Sequence, residues 1–149
     1  MAGPIFTIRK IMSDPIYRKE VLRLAADATG AGTLPRADGT ASAHNPACAD
    51  KVTMAVTMEA GRITAIAYQT QACILAQASA SILGGTAVGQ NAGGLAALEG
   101  KVRMMLEGGA TPDDTWRAFD GVGEIRGRHT CVLLPILALR EALEAAEKS

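Results

Sequence analysis

Three cysteines and one aspartate are the residues of this 149-residue chain whose types could do chemistry together. Cys48 and Asp50 stand two positions apart, and Cys73 and Cys131 follow further along the chain. Three thiolates and one carboxylate suit a tetrahedral zinc ion or an iron–sulfur cluster. The chain has no Cys-x-x-Cys pair, and free cysteines are often simply small buried hydrophobic residues. Spacing alone therefore leaves a metal site and a buried structural role both open.

A predicted β-hairpin would bring two of these residues together. Residues 52–58 alternate, with large apolar side chains at every second position and Thr53 and Thr57 on the other face. Residues 59–62 suit a turn, and residues 63–68 are rich in β-branched and aromatic side chains. Two strands of about eight residues run out and back over roughly 25 Å each. The hairpin returns the chain at residue 73 to the level of residue 48, so we expect Cys48 and Cys73 to be neighbours.

Helices are predicted on both sides of the hairpin. Ser13 or Asp14 is expected to cap the first helix, with Pro15 in its first turn, and the run ends at Gly30 and Gly32. Residues 31–45 are rich in Gly, Ala, Ser, Thr and Pro, and we expect them to form a loop that leads to the Cys48 region.

The other two cysteines are each predicted to start a helix. Cys73 precedes a helix that ends at Gly84-Gly85, and Cys131 precedes a helix over residues 132–146 that tolerates Pro135 only in its first turn. Free N–H groups at a helix N-terminus favour a thiolate. Between these two helices we expect another over residues 95–106, then a fresh start at residues 111–114 that places Trp116 and Phe119 in the core.

Composition excludes several function classes. Fifteen basic and fifteen acidic side chains cancel, and aromatic residues are only 3%, so neither nucleic acid nor an anionic membrane surface is an expected partner. No apolar run is long enough for a membrane span, and no signal-peptide core is evident. We expect a single cytoplasmic domain over residues 1–149, with reduced thiols and a core sufficient to fold without metal.

The two histidines are weaker candidates for a role at the site. His44 and His129 are individually typical of surface or hydrogen-bonded histidines. His129 stands two residues before Cys131, so it is also a candidate alternate ligand or proton carrier.

Three segments carry a resemblance to a known family. Asn-Pro-Ala-Cys-Ala-Asp, at residues 45–50, resembles the Asn-Pro-x-Cys-Gly-Asp motif of the U-type iron–sulfur cluster assembly proteins, the IscU, SufU and NifU N-terminal family. Cys73 followed by a small-residue helix with Ser-Ala-Ser is similar to the second motif of that family. Arg-His-Thr-Cys-Val-Leu-Leu-Pro, at residues 128–135, is similar to the third motif in its SufU-like branch. The resemblance covers residues 13–146.

The resemblance implies an α+β fold with a small antiparallel β-sheet of about three strands packed by helices on one side. Residues 1–12 would be an N-terminal extension. The implied metal ligands are Cys48, Asp50, Cys73 and Cys131, with Cys131 accepting sulfur and Arg128 supporting its thiolate. The implied partners are a cysteine desulfurase of the SufS or IscS type and the apo iron–sulfur proteins that receive the product. The Leu-Pro-Pro-Val-Lys segment read by a dedicated chaperone is absent, so that partner is not expected.

The resemblance leaves three functions to separate. The first is an assembly scaffold and sulfur carrier, rather than a classical enzyme, that holds a labile 2Fe-2S cluster. The second is a zinc-dependent sulfurtransferase of the SufU type. The third is a divergent metal-binding paralogue without sulfur transfer, which departures from the family pattern would explain. These departures are Ala49, Thr70, Ala72 and Thr130. The first three stand where the family has glycine, and they predict an altered loop geometry if those glycines serve a positive φ or a close backbone approach.

Overall fold

A three-stranded antiparallel sheet with α-helices on one side forms the fold, as expected for the α+β class. The structure is a computed structural model that describes residues 15–47 and 49–148. Within them the sheet order is β1-β2-β3. The strands are β1 (Gly39–Asn45), β2 (Asp50–Glu59) and β3 (Arg62–Gln71). The α-helices are α1 (Lys19–Asp27), α2 (Ile74–Thr86), α3 (Ala92–Leu106) and α4 (His129–Glu147).

The β2–β3 hairpin confirms the prediction and is longer than expected. Val52, Met54 and Val56 are fully buried on its inner face, which gives the strand its alternating pattern. Glu59 pairs with Arg62 across a two-residue turn. Both turn residues, Ala60 at φ 52° and Gly61 at φ 78°, adopt the left-handed conformation that matches the twist of a tight hairpin. The hairpin therefore returns the chain, at the end of β3, to the start of β2 near Asp50.

The prediction of a loop over residues 31–45 is wrong for its second half. Gly39–Asn45 forms β1 and pairs antiparallel with β2 from Gly39–Val56 to Asn45–Asp50. Its small polar residues resemble a loop in composition, yet Ala43 and Asn45 are buried while Thr40 and His44 are exposed. Gly39 is required by contact with α4, because a Cβ there would lie 2.1 Å from the carbonyl oxygen of Ala142. The strand therefore depends on β2 and α4 rather than on its own propensity.

The first helix begins later than predicted. Pro15–Tyr17 forms a separate 3₁₀ turn, Arg18 is extended at ψ 147°, and α1 begins at Lys19. The helix ends at Asp27, and its C-cap residue Ala28 adopts a left-handed φ of 46°. This end precedes Gly30 and Gly32, which were expected to stop the helix. The predicted caps Ser13 and Asp14 lie outside the described residues, as does the proposed extension over residues 1–12.

Gly84-Gly85 does not end α2, which continues to Thr86. A Cβ at Gly84 would lie 1.8 Å from the carbonyl oxygen of Thr29, whereas one at Gly85 would meet only the Thr29 methyl group at 3.6 Å. The first glycine therefore serves a close approach between α2 and the chain after α1, and is not a helix stop.

Pro135 lies in the second turn of α4, and the prediction that it must lie in the first turn is wrong. The helix begins at His129 and contains Pro135 in its interior. Proline has no N–H, so the Cys131 carbonyl loses its helical hydrogen bond. The apolar face around the proline is deeply buried, with Val132, Ile136 and Leu139 at 0% exposure, and this burial holds the helix together across the defect.

The remaining elements complete the core. Asn91 caps α3, its side chain accepting a hydrogen bond from the Gly94 N–H. The predicted start at residues 111–114 is a 3₁₀ helix, Asp114–Phe119, capped by Asp113. It buries Trp116 and Phe119, as predicted, with ring centroids 5.7 Å apart. No helix in the part of the chain that is described is long and apolar enough to cross a bilayer.

Candidate metal centre

Asp50, Cys73 and Cys131 converge on one point from three different elements. Asp50 is the first residue of β2, Cys73 is the N-cap of α2, and Cys131 lies in the first turn of α4. Their ligand atoms all lie within 4.8 Å of one another. The hairpin returns Cys73 to Asp50 because Lys51 pairs with Gln71, two residues before Cys73.

The donor atoms suit a small thiophilic ion. A tetrahedral zinc ion with sulfur ligands at about 2.3 Å places those ligand atoms roughly 3.8 Å apart. The observed separations of up to 4.8 Å need a contraction of only about 1 Å to reach that spacing. Two sulfurs and one carboxylate oxygen can therefore form three corners of a tetrahedral site, and a fourth ligand has to come from outside this group.

Asp50 organises the two cysteines through hydrogen bonds. Its Oδ1 accepts the backbone N–H of Cys73 at 3.2 Å, and its Oδ2 lies 3.6 Å from the Cys131 Sγ, whose single proton is shared between this oxygen and the Cys73 sulfur. The Asp50 side chain is buried, and burial of a carboxylate is tolerated only where it has such partners. The carboxylate thus holds the start of α2 and the start of α4 at one point.

The two thiols differ strongly in their tendency to ionise. A hydrogen bond from Cys131 and N–H groups at the start of α2 lower the pKa of Cys73 to about 6, although burial and Asp50 oppose this. The Cys73 thiolate, burial and Asp50 raise the pKa of Cys131 far above its usual value, and the hydrogen bond from Arg128 only partly offsets them. The pair of thiols therefore carries one negative charge, which lies on Cys73, while Cys131 keeps its proton.

This charge distribution corrects the expectation for Cys131. The helix N-terminus and Arg128 were expected to make its thiol anionic, yet the neighbouring Cys73 thiolate and burial at 1% exposure outweigh them. The same expectation for Cys73 is confirmed in direction. A metal ion would replace the thiol proton of Cys131, because cysteine ligands bind as thiolates.

The chain connects β1 to β2 over residues 46–49. Asn45 pairs with Asp50 at the base of this connection, and the Asn45 Oδ1 accepts the Ala47 N–H at 3.1 Å. Ala49 has a φ of 57°, the conformation that a glycine there would adopt without strain. The prediction that alanine must alter this geometry is therefore wrong at that torsion. Cys48 itself lies outside the described residues.

The two histidines are not brought into this group. His44 is exposed on β1. His129 turns toward the chain before α4, with Nε2 2.8 Å from the Gly123 carbonyl oxygen and Nδ1 3.8 Å from a Glu107 carboxylate oxygen. Its role as an alternate ligand stays a prediction.

Thr70 and Ala72, where the family pattern has glycine, do not adopt a left-handed backbone conformation.

Sequence reasoning missed one residue next to the centre. Ser79 is fully buried in α2, and its hydroxyl donates to the carbonyl oxygen of Val132, the residue after Cys131, at 2.7 Å. The available signal was a serine within an otherwise apolar helical face.

Comparison with known proteins identifies the family of this fold. The family described as the NifU-like N terminal domain matches residues 16–107, which include Asp50 and Cys73. This chain belongs to the NifU-like N-terminal domain family. The matched region is more than half of the chain, and the α4 segment with Cys131 lies beyond it.

Solved structures of the same fold extend the match to α4. The crystal structure of a nitrogen-fixing NifU-like protein (N-terminal) from Brucella abortus is 30% identical, with a TM-score of 0.84, and the alignment covers 93% of this chain and 99% of that one. A putative iron–sulfur cluster assembly scaffold protein for the SUF system from Fervidobacterium islandicum is 21% identical, with a TM-score of 0.78. That alignment covers 88% of this chain and 98% of the other one. At this lower identity the second match supports the fold alone. No curated protein matches the sequence.

Proposed function

We propose that this chain is an iron–sulfur cluster assembly protein that receives sulfur and iron on the centre formed by Asp50, Cys73 and Cys131. The observation that carries the proposal is the convergence of these three donor groups within 4.8 Å in a member of the NifU-like N-terminal domain family. Cys48, two residues before Asp50, supplies the fourth ligand in this proposal.

The mixed donor set suits a cargo that has to be released. Thiolates bind iron and zinc strongly, whereas a carboxylate is a harder ligand and exchanges more readily at a thiophilic centre. Asp50 would therefore be the weakest bond to a labile 2Fe-2S cluster. A cluster held in this way can be passed on to apo iron–sulfur proteins, which we propose as the recipients.

Sulfur would arrive as the persulfide of a cysteine desulfurase of the SufS or IscS type. Cys131 first gives its thiol proton to the neighbouring Cys73 thiolate. The resulting Cys131 thiolate attacks the terminal sulfur, the persulfide S–S bond breaks, the desulfurase cysteine leaves as a thiolate, and a new S–S bond forms on Cys131. The transferred sulfur keeps its oxidation state, so no external oxidant is needed. The hydrogen bond from Arg128 supports the Cys131 anion in this step.

Burial sets a condition on this step. Cys131 is 1% exposed, so the start of α4 has to move before a desulfurase persulfide can reach the thiol. The interruption of the helical ladder at Pro135 weakens that end of α4 and is consistent with such a movement.

The location and the extent of the domain are part of the proposal. Reduced thiols of this kind are maintained in the cytoplasm, where we propose that the protein acts. We propose that the whole of residues 1–149 serves as one domain.

Anaerobic purification with metal and acid-labile sulfide analysis tests the cargo. Equal iron and sulfide, with thiolate-to-iron charge-transfer absorption, is the expected result. Stoichiometric zinc without colour would instead support a zinc-dependent sulfurtransferase. The variant Cys73→Ser should lower the bound metal in either case, whereas His44→Gln, an exposed residue outside the donor group, should not.

Incubation with a cysteine desulfurase and cysteine tests sulfur acceptance. Mass spectrometry should find a persulfide on the peptide that contains Cys131, and Cys131→Ser should abolish it without loss of the fold. Metal binding without persulfide formation or desulfurase stimulation would overturn the transfer role and leave a metal-binding paralogue.

A further inference from the structure

Two serines are buried in the otherwise apolar face of α2, and they have different partners. Ser79, at 0% exposure, donates to the Val132 carbonyl oxygen at 2.7 Å. Ser81, at 2% exposure, accepts the Thr29 N–H at 3.1 Å. A buried hydroxyl is costly unless it is hydrogen-bonded, so each serine fixes the element to which it bonds. Only Ser79 reaches the helix that carries Cys131.

The Ser79 hydrogen bond lies where the hydrogen-bond ladder of α4 is interrupted. Pro135 leaves the Cys131 carbonyl without its helical donor, and the neighbouring Val132 carbonyl accepts the Ser79 hydroxyl. The turn that holds Cys131 has fewer internal bonds than a regular helix, and a contact from α2 is added at the next residue. The placement of Cys131 therefore depends on α2 as well as on α4.

α2 also carries the other thiol of the centre. Cys73 is the N-cap of α2, six residues before Ser79 along the same helix. The hydrogen bond from Ser79 to Val132 thus connects the two cysteine-bearing helices at the residue that follows Cys131. A change in this contact would alter the position of one sulfur relative to the other without removing either ligand.

We propose that Ser79 is a positioning residue that sets the separation of the Cys73 and Cys131 sulfurs and thereby the ability of both to bind one metal ion. The inference rests on the proposed function, because it needs the metal centre assigned there. Residues that orient metal ligands without binding the metal commonly contribute about tenfold or more to affinity.

Cobalt(II) titration of the Ser79→Ala variant tests the inference, with Ser81→Ala as the matched control. Both substitutions remove one buried hydroxyl from α2, but only the first removes a contact to α4. Cobalt is titrated anaerobically into chelated protein, and affinity is read by chelator competition at a temperature where circular dichroism shows each variant folded. The intensity of thiolate-to-cobalt charge-transfer absorption per bound cobalt reports how many thiolates bind.

Ser79→Ala should bind cobalt about tenfold more weakly than wild type, with lower charge-transfer intensity per cobalt. Ser81→Ala should match wild type in both readouts, whatever its stability. Equal affinity and spectra for the two variants would overturn the inference while leaving the proposed function intact. Wild-type protein that shows no thiolate-to-cobalt absorption would overturn both together.

The substitutions Ser79→Thr and Ser79→Val provide an independent comparison if the alanine variant does not fold. Threonine and valine have similar shapes and differ in the hydroxyl, so they separate hydrogen bonding from packing. Threonine should retain tighter cobalt binding than valine. Indistinguishable binding by this pair would also overturn the inference.

Discussion

Ala49 holds a left-handed backbone conformation directly before the buried Asp50. Its φ of 57° is costly for a residue with a Cβ, roughly 1–2 kcal/mol compared with glycine. The turn is closed at its base by the Asn45–Asp50 pair, so the chain cannot relax away from this conformation without disturbing the metal centre.

The substitution Ala49→Gly should therefore stabilise the protein. Relief of the left-handed strain, less the greater entropy of an unfolded glycine, leaves a gain of about 0.5–1 kcal/mol in the free energy of unfolding. Urea denaturation measures the change. Ala60→Gly, at φ 52° in the distant β2–β3 turn, is the control and should give a similar gain. A loss of stability in Ala49→Gly alone would contradict the strain.

Cys73 should be the more reactive of the two described thiols. Its pKa is lowered to about 6, whereas the pKa of Cys131 is raised and its side chain is buried. Because only the thiolate is alkylated, the Cys73 rate should increase through about pH 6 and level off about two pH units above it. Iodoacetamide labelling of chelated protein, with peptide mass spectrometry, measures each cysteine separately. Faster labelling of Cys131, or a midpoint for Cys73 near the usual thiol value, would contradict this assignment.

Contacts between elements explain Gly84 better than helix termination does. The backbone of α2 packs directly against Thr29 and Gly30 after α1, and a side chain at residue 84 has no space there. Ser81 accepts the Thr29 N–H one turn earlier along the same helix. The two contacts together fix the C-terminal half of α2 against the chain that follows α1.

Adjacent glycine substitutions separate close packing from helix propensity. Gly84→Ala should destabilise the protein by about 3 kcal/mol, because its Cβ would lie 1.8 Å from a backbone oxygen. Gly85→Ala has space and should be neutral or stabilising by up to about 1 kcal/mol. Thermal or urea denaturation of both variants measures the difference. Similar effects from the two substitutions would contradict the close approach.

At the scale of the molecule, the core does not depend on the metal centre. Buried side chains from the sheet, α2, α3, α4 and the 3₁₀ helix at Asp114–Phe119 form one continuous cluster, of which Cys131 is a member. Glu99 connects α3 to α4 through Arg140 at 2.6 Å, away from the thiols. The donor groups are thus carried by elements that have their own packing.

Metal removal should leave the fold intact. Chelated protein is expected to keep its far-ultraviolet circular dichroism and a cooperative unfolding transition, because apolar burial is unchanged. Added zinc should raise the melting temperature, by an amount equivalent to about 2.7 kcal/mol when free zinc is a hundredfold above its Kd. Loss of the helical signal on chelation would show that the metal supplies folding energy. Cys73→Ser, which keeps the core, should lose most of the zinc effect while keeping the transition.

The sequence by itself determined the hairpin and the burial of Trp116 and Phe119. These follow from side-chain alternation and chain geometry, which are local properties. The predicted contact between Cys48 and Cys73 involves a residue outside the described ones and stays a prediction. The motifs around the cysteines also identified the family before any fold was known. The family and the three-stranded α+β architecture are both confirmed.

Only the tertiary structure decided β1, the extent of α2 and the ionisation of the thiols. β1 has a loop-like composition and forms because it pairs with β2 and packs against α4. α2 continues through Gly84-Gly85, and Gly84 is needed there because the backbone at Thr29 leaves no space for a side chain. The charge lies on Cys73 because Cys131, distant in sequence, donates to it. Each of these depends on a contact between residues far apart in the chain, and no local pattern encodes the position of the partner.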